Sequence, residues 1–118
     1  MARILVAEDD EPVRLSAQRA LRDSGHHVDA APDGLAALAA IKARAYDLLI
    51  TDIMMPGMDG IELALLAGVE RPDMRIVLMS GLAAQRERAR NLDALVREVL
   101  TKPFSLAELR EAATRALA

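Results

Sequence analysis

Tyr46-Asp47-Leu48-Leu49-Ile50-Thr51-Asp52-Ile53-Met54-Met55-Pro56-Gly57 is the stretch on which the fold turns. Leu48-Leu49-Ile50 is a short apolar run without polar alternation, the pattern of a strand covered on both faces in a parallel sheet. The run leads to a carboxylate, Asp52, and Pro56-Gly57 then marks a loop. Open α/β sheets place their ligand sites just beyond the carboxyl ends of such strands.

The same pattern repeats on either side. Ile4-Leu5-Val6-Ala7 and Ile76-Val77-Leu78-Met79 are uninterrupted apolar runs. Val28-Asp29-Ala30-Ala31 and Val96-Arg97-Glu98-Val99-Leu100 are more polar, as edge strands are. Helical stripes lie between them: Val13, Ala17, Ala20 and Leu21; Leu35, Leu38 and Ile41; Ile61, Leu65 and Leu66, read as core; and Leu106, Leu109, Ala113, Ala116 and Leu117. Residues 83–92 read as a weakly amphipathic helix. Ser105-Leu106-Ala107-Glu108 has the form of a capping box, Asp10 that of an N-cap, and Gly25 that of a helix C-terminal stop. Strand and helix alternate five times, which predicts one doubly wound α/β domain over residues 1–118 with helices on both faces of a five-stranded parallel sheet.

Composition narrows the function. Hydrophobic residues are 53% of the chain, Tyr46 and Phe104 are its aromatics, and it has no cysteine, so the predicted core is aliphatic and thiolate metal sites are excluded. No apolar run approaches the roughly 18 residues of a membrane span, and a cytoplasmic protein is expected. A net charge of −3 argues against nucleic-acid binding through a basic face. Residues 1–59 carry ten acids against six bases, with the excess at Glu8-Asp9-Asp10-Glu11.

The strand ends supply a specific inventory. Glu8, Asp9 and Asp10 follow the first strand, Asp52 the third, Ser80-Gly81 the fourth and Lys102-Pro103 the fifth. Clustered carboxylates need a proton or a cation among them, because two unit charges about 4 Å apart repel by roughly 4 kcal/mol at an effective dielectric near 20. An all-oxygen set suits Mg²⁺, with Mn²⁺ as the alternative. Asp9 and Asp52 are the expected direct ligands, with Glu8 acting through water and Met54 offering its backbone carbonyl. Such an ion would compensate charge as an acyl phosphate forms on Asp52, with Lys102 and Ser80 on the remaining phosphoryl oxygens. Thirteen of the fifteen basic residues are arginine, yet lysine stands at this position, where a compact ammonium acts as a point-charge clamp.

The blocks Ile4–Pro12, Tyr46–Gly60, Met79-Ser80-Gly81 and Thr101-Lys102-Pro103-Phe104 resemble the response-regulator receiver domains of two-component signalling, in order and over essentially the whole chain. The resemblance implies the flavodoxin-like strand order 2-1-3-4-5. It makes Asp52 the phosphoacceptor, Glu8 and Asp9 the acidic pair, Ser80 the switch hydroxyl and Lys102 the family's lysine. The donor would be a phosphohistidine on a histidine kinase or histidine phosphotransfer protein, and the output a changed contact with a downstream protein, as a monomer or a phosphorylation-dependent dimer. Where many receivers carry Tyr or Phe at the switch position, this chain has Val99. No output domain is expected after residue 118. Ala7–Asp10, Thr51–Ile53, Met58–Ala64 and Ser80–Ala84 are further similar to single-domain receivers that prime the ClpXP protease.

The residues allow other readings. A metal-dependent aspartyl phosphohydrolase would turn over external phosphate esters, but the usual Asp-x-Asp form is missing after the first strand. A flavodoxin-like FMN carrier needs a hydroxyl- and glycine-rich loop where this chain has four acids. A pseudo-receiver scaffold is the third. The expected role is therefore a switch and not an enzyme, catalysing only its own phosphotransfer and dephosphorylation. Met54 and Leu82, both apolar, predict slow self-hydrolysis. Gln85-Arg86-Glu87-Arg88-Ala89-Arg90 reads as a solvated helix face, with Arg86, Arg88 and Arg90 the candidate partner surface. His26-His27 reads as an exposed turn.

Overall fold

The computed structural model describes residues 1–118 apart from the side chain of Ala83. The elements run β1 (Arg3–Ala7), α1 (Glu11–Asp23), β2 (His27–Ala31), α2 (Gly34–Ala43), β3 (Leu48–Asp52), α3 (Gly60–Glu70), β4 (Arg75–Ser80), α4 (Ala83–Ala89), a 3-10 turn (Arg90–Leu92), β5 (Glu98–Thr101) and α5 (Leu106–Leu117). All strands pair in parallel, in the order β2-β1-β3-β4-β5. The two polar runs are the sheet's edges, as their composition predicts.

Alternation along each strand divides the core into two layers. Ile4, Val6, Leu48, Ile50, Val77 and Met79 face α1 and α5, where Ala17, Leu21, Leu109 and Ala113 meet them. Leu5, Leu49, Ile76 and Leu78 face the opposite way, against Ala37 and Ile41 of α2 and Leu63, Ala64 and Ala67 of α3. Both faces of the central strands are dry, which is why their sequences show no polar alternation.

Local chemistry sets the helix ends. The Asp10 side chain accepts the Val13 N–H and starts α1. Its far end closes in a Schellman arrangement: Gly25 at φ +95° donates to Arg22 O, and His26 donates to Leu21 O. The predicted capping box of Ser105 and Glu108 opens α5 with both reciprocal bonds formed.

Four details differ from the sequence reading. α3 buries Leu63, Ala64 and Ala67, while Leu65 is 50% exposed and Leu66 39% exposed. That helix is apolar around most of its circumference, so periodicity alone does not choose a face; the small side chains are the ones turned onto the sheet. In α2, Leu35 is exposed and Gly34, Ala37 and Ile41 are buried. β5 begins at Glu98, because Val96 N–H is bonded to Leu92 O in the preceding turn. His26 is half-buried, and its Nδ1 accepts the Ala2 N–H at 3.1 Å. Burial and the nearby N-terminal charge lower the pKa of that imidazole.

Candidate functional site

The strand order reverses between β1 and β3, and both strands end there on acids. β1 runs directly into Glu8, which is fully buried, and then Asp9, which is exposed. β3 ends on Asp52, 6% exposed. The loop beyond Asp52 is anchored by Ile53 and Met55, both buried. It then folds back so tightly that a Cβ on Gly60 would stand 2.0 Å from the Asp52 carbonyl oxygen. Gly60 N–H donates to Ile53 O at 2.8 Å, and the Asp59 side chain caps α3 through the Glu62 N–H. Glycine is therefore required at 60 by close backbone approach, and the Asp52 peptide is clamped by the start of α3.

Lys102 reaches this point from the other side of the sheet. Its Nζ lies 2.6 Å from Glu8 Oε1 and 3.2 Å from Asp52 Oδ2. Burial alone would lower the lysine's pKa; its hydrogen bond to Glu8 and the charge of Asp52 outweigh it and hold the ammonium above its usual value. Both oxygens of Glu8 are engaged, Oε1 by the lysine and Oε2 by the Asp10 N–H at 3.3 Å. Arg14 Nη1 donates to Glu8 O at 2.9 Å and fixes the β1–α1 turn.

Oxygen atoms of Glu8, Asp9 and Asp52 lie within 4.8 Å of one another. Asp9 is raised in pKa, first by burial and then by its hydrogen bond and charge contact with Glu8. Three carboxylates against one ammonium leave an excess of negative charge that a divalent, oxygen-seeking cation fits. Each of the three offers one oxygen to that set, Asp9 from an exposed side chain and Glu8 and Asp52 from buried ones. Met54 lies in the loop two residues beyond Asp52 with its side chain exposed, and among the described residues no backbone N–H bonds to its carbonyl.

Ser80 is placed differently. It ends β4 and is fully buried, but its hydroxyl is turned into the β4–α4 connection, 3.0 Å from Leu82 O and 3.2 Å from the Gln85 side-chain amide. The structure thus gathers Glu8, Asp9, Asp52 and Lys102, while Ser80 is engaged with α4. Val99 sits on β5 opposite Leu78, half-buried against the α2–α4 layer.

The solvated face assigned to residues 85–90 holds for Arg86, Arg88 and Arg90, which are exposed. It does not hold for Gln85, which is 6% exposed, or for Ala89, which is buried in the core. Arg88 pairs with Asp59 at 2.9 Å, and Arg90 with Glu87 at 3.0 Å. Burial would raise the Asp59 pKa, but the Glu62 N–H and the Arg88 guanidinium overcome it and hold it below the usual carboxylate value. Gln85 and the Arg88–Asp59 pair are the site-linked residues the sequence did not disclose. Gln85 is the uncharged polar member of a run rich in charges, a signal too weak to separate it from a surface glutamine.

Comparison with known proteins follows the same outline. The response regulator receiver domain description matches residues 4–114. The receiver protein CpdR of Brucella abortus is 40% identical over 109 residues, covering 92% of this chain and 91% of its own. The transcriptional regulatory protein TcrA of Mycobacterium tuberculosis is 38% identical over 107 residues; the match covers 91% of this chain and 42% of TcrA. Among solved structures, a CheY-like receiver domain protein from Methanospirillum hungatei superposes with a TM-score of 0.92 at 29% identity, covering 99% of this chain and 94% of the other. The response regulator TrrA of Thermotoga maritima, solved in complex with Mg²⁺ and BeF, gives 0.88 at 32% identity, covering 99% of this chain and all of TrrA.

Proposed function

This chain belongs to the response regulator receiver domain family, and from that premise we propose that Asp52 accepts a phosphoryl group from a phosphohistidine and resets contacts with a downstream protein. The observation that carries the reading is the convergence of Glu8 and Asp52 within hydrogen-bond reach of the Lys102 ammonium. An Asp52 carboxylate oxygen bonds to phosphorus as the bond from phosphorus to the donor imidazole nitrogen breaks, and the imidazole leaves. Lys102 already stands beside Asp52 Oδ2 and offers fixed positive charge to the transferred group without reorganisation. A magnesium ion held by Asp9, Asp52 and the Met54 carbonyl, with Glu8 behind a water, would neutralise charge on the phosphoryl oxygens; manganese would serve similarly. The Mg²⁺–BeF complex of TrrA supports this choice. Ser80 turns to a phosphoryl oxygen in the charged state.

The protein acts as a cytoplasmic switch and does not turn over external phosphate esters. Its donor is a histidine kinase or histidine phosphotransfer protein. The similarity to CpdR over nearly the full length of both chains supports a finer reading, an adaptor whose phosphorylation state controls delivery to ClpXP. The exposed, apolar Met54 and Leu82 flank the acceptor and the switch hydroxyl and do not orient an attacking water, so the acyl phosphate is long-lived.

Incubation with a small acyl phosphate and Mg²⁺, read on a phosphate-affinity gel, tests the assignment. One retarded band is expected, absent in Asp52→Asn and without Mg²⁺. A band that survives Asp52→Asn, or no band from any phosphohistidine donor, overturns the reading.

A further inference from the structure

Gln85 lies in the first turn of α4, and its amide is the buried polar group of that helix. A primary amide out of water needs a partner, and the side-chain hydrogen bond described for Gln85 is to Ser80 Oγ. A hydroxyl has one proton and two lone pairs. The structure sets Gln85 Oε1 3.2 Å and Leu82 O 3.0 Å from Oγ, two acceptors for one proton. With the proton given to Leu82 O, Ser80 holds both neighbours once the amide is turned end for end so that its NH₂ donates to Oγ, the arrangement of a terminal amide being set by its network.

We propose that Gln85 is a positioning residue for Ser80: it holds the switch hydroxyl toward α4, and it loses its partner when that hydroxyl turns to a phosphoryl oxygen. The inference rests on Asp52 being the phosphoacceptor. Ser80 cannot serve both arrangements, because the same proton that reaches the phosphoryl group must leave Leu82. The turn leaves the Gln85 amide, on a side chain only 6% exposed, without that partner, and an under-satisfied polar group so placed is costly. α4 relieves this by shifting its first turn until the amide meets water. The helix is suited to move, being seven residues long, with no side-chain N-cap and a 3-10 end. Val99, packed on the same side of the sheet, supplies no bulky ring to transmit the change. Gln85 thus takes over, by hydrogen bonding, a coupling task for which β5 has no aromatic side chain.

The test is the affinity for beryllofluoride with Mg²⁺, read from the bound ¹⁹F NMR signal in the wild type, Gln85→Leu, Ser80→Ala and the double variant. Gln85→Met stands in for Gln85→Leu should the branched side chain prevent folding. Removing the amide frees the hydroxyl, and binding is expected to tighten about fivefold, the population shift of one neutral hydrogen bond. In the Ser80→Ala background the same substitution is expected to change nothing. Equal affinity of Gln85→Leu and wild type overturns the proposal, as does a tightening that persists without the Ser80 hydroxyl, which would mark a merely structural effect. Failure of the wild type to bind beryllofluoride at all removes the phosphoacceptor reading itself, and the proposal with it.

Discussion

Lys102 balances two opposed effects: burial disfavours its charge, and two carboxylates favour it more strongly. Its folded pKa is raised, so its contribution to stability is complete below about 10.5 and is lost as pH climbs through the higher folded value. Lys102→Met leaves Glu8 buried with no counter-charge. With the lysine's partial exposure discounted, the loss is about 2 kcal/mol, read as a lower urea midpoint. Glu8→Gln in the same chain should recover most of it; an unchanged midpoint in Lys102→Met argues that Glu8 is not charged in the fold. Asp9 behaves oppositely, as a raised acid: its ionisation weakens the fold at neutral pH, and the cost is relieved as pH falls through its folded pKa. Asp9→Asn should therefore raise the urea midpoint in metal-free buffer while shrinking the rise in Tm produced by Mg²⁺. A full Mg²⁺ response in that variant would remove Asp9 from the ion's ligands. Asp59, whose pKa is lowered, contributes fully above about 3.8 and loses that contribution as acid protonates it through its lower folded value.

Among the elements, α3 separates what patterning can and cannot decide. Its existence follows from the apolar run after Asp59, but of the expected stripe only Ile61 packs against the core, while Leu65 and Leu66 are exposed. Residues 60–70 are apolar on nearly every side, and the face is chosen by which side chains let the backbone come close to the sheet and to Asp52. Leu63→Ala should cost about 3 kcal/mol, as a fully buried leucine does. Leu65→Gln should stay within roughly 0.5 kcal/mol of wild type by urea denaturation. Equal losses at the two positions would restore the sequence's choice of face. In contrast, β1, β3 and β4 were legible almost to the residue, since strands dry on both sides leave an unbroken apolar run. β5 was placed two residues early because Val96 is buried by a turn, and burial in a turn looks the same in sequence as burial in a strand.

At the scale of the whole molecule, the site was readable because the topology does simple work: parallel strands present their carboxyl ends on one edge, so acids and a lysine at those ends must meet. What the sequence withheld were contacts between elements whose side chains carry no periodic signature, such as Gln85 on Ser80 and Arg88 on Asp59. The meeting of Glu8 with Lys102 also has a bearing on integrity. The turn after β1 supplies the acid, and its ammonium partner lies 94 residues further along the chain. No fragment that stops short of Lys102 can assemble this pair. On the proposed function, a kinase that recognises the finished pocket would leave chains nicked ahead of β5 uncharged, so the ability to carry signal doubles as a report that the sheet is whole.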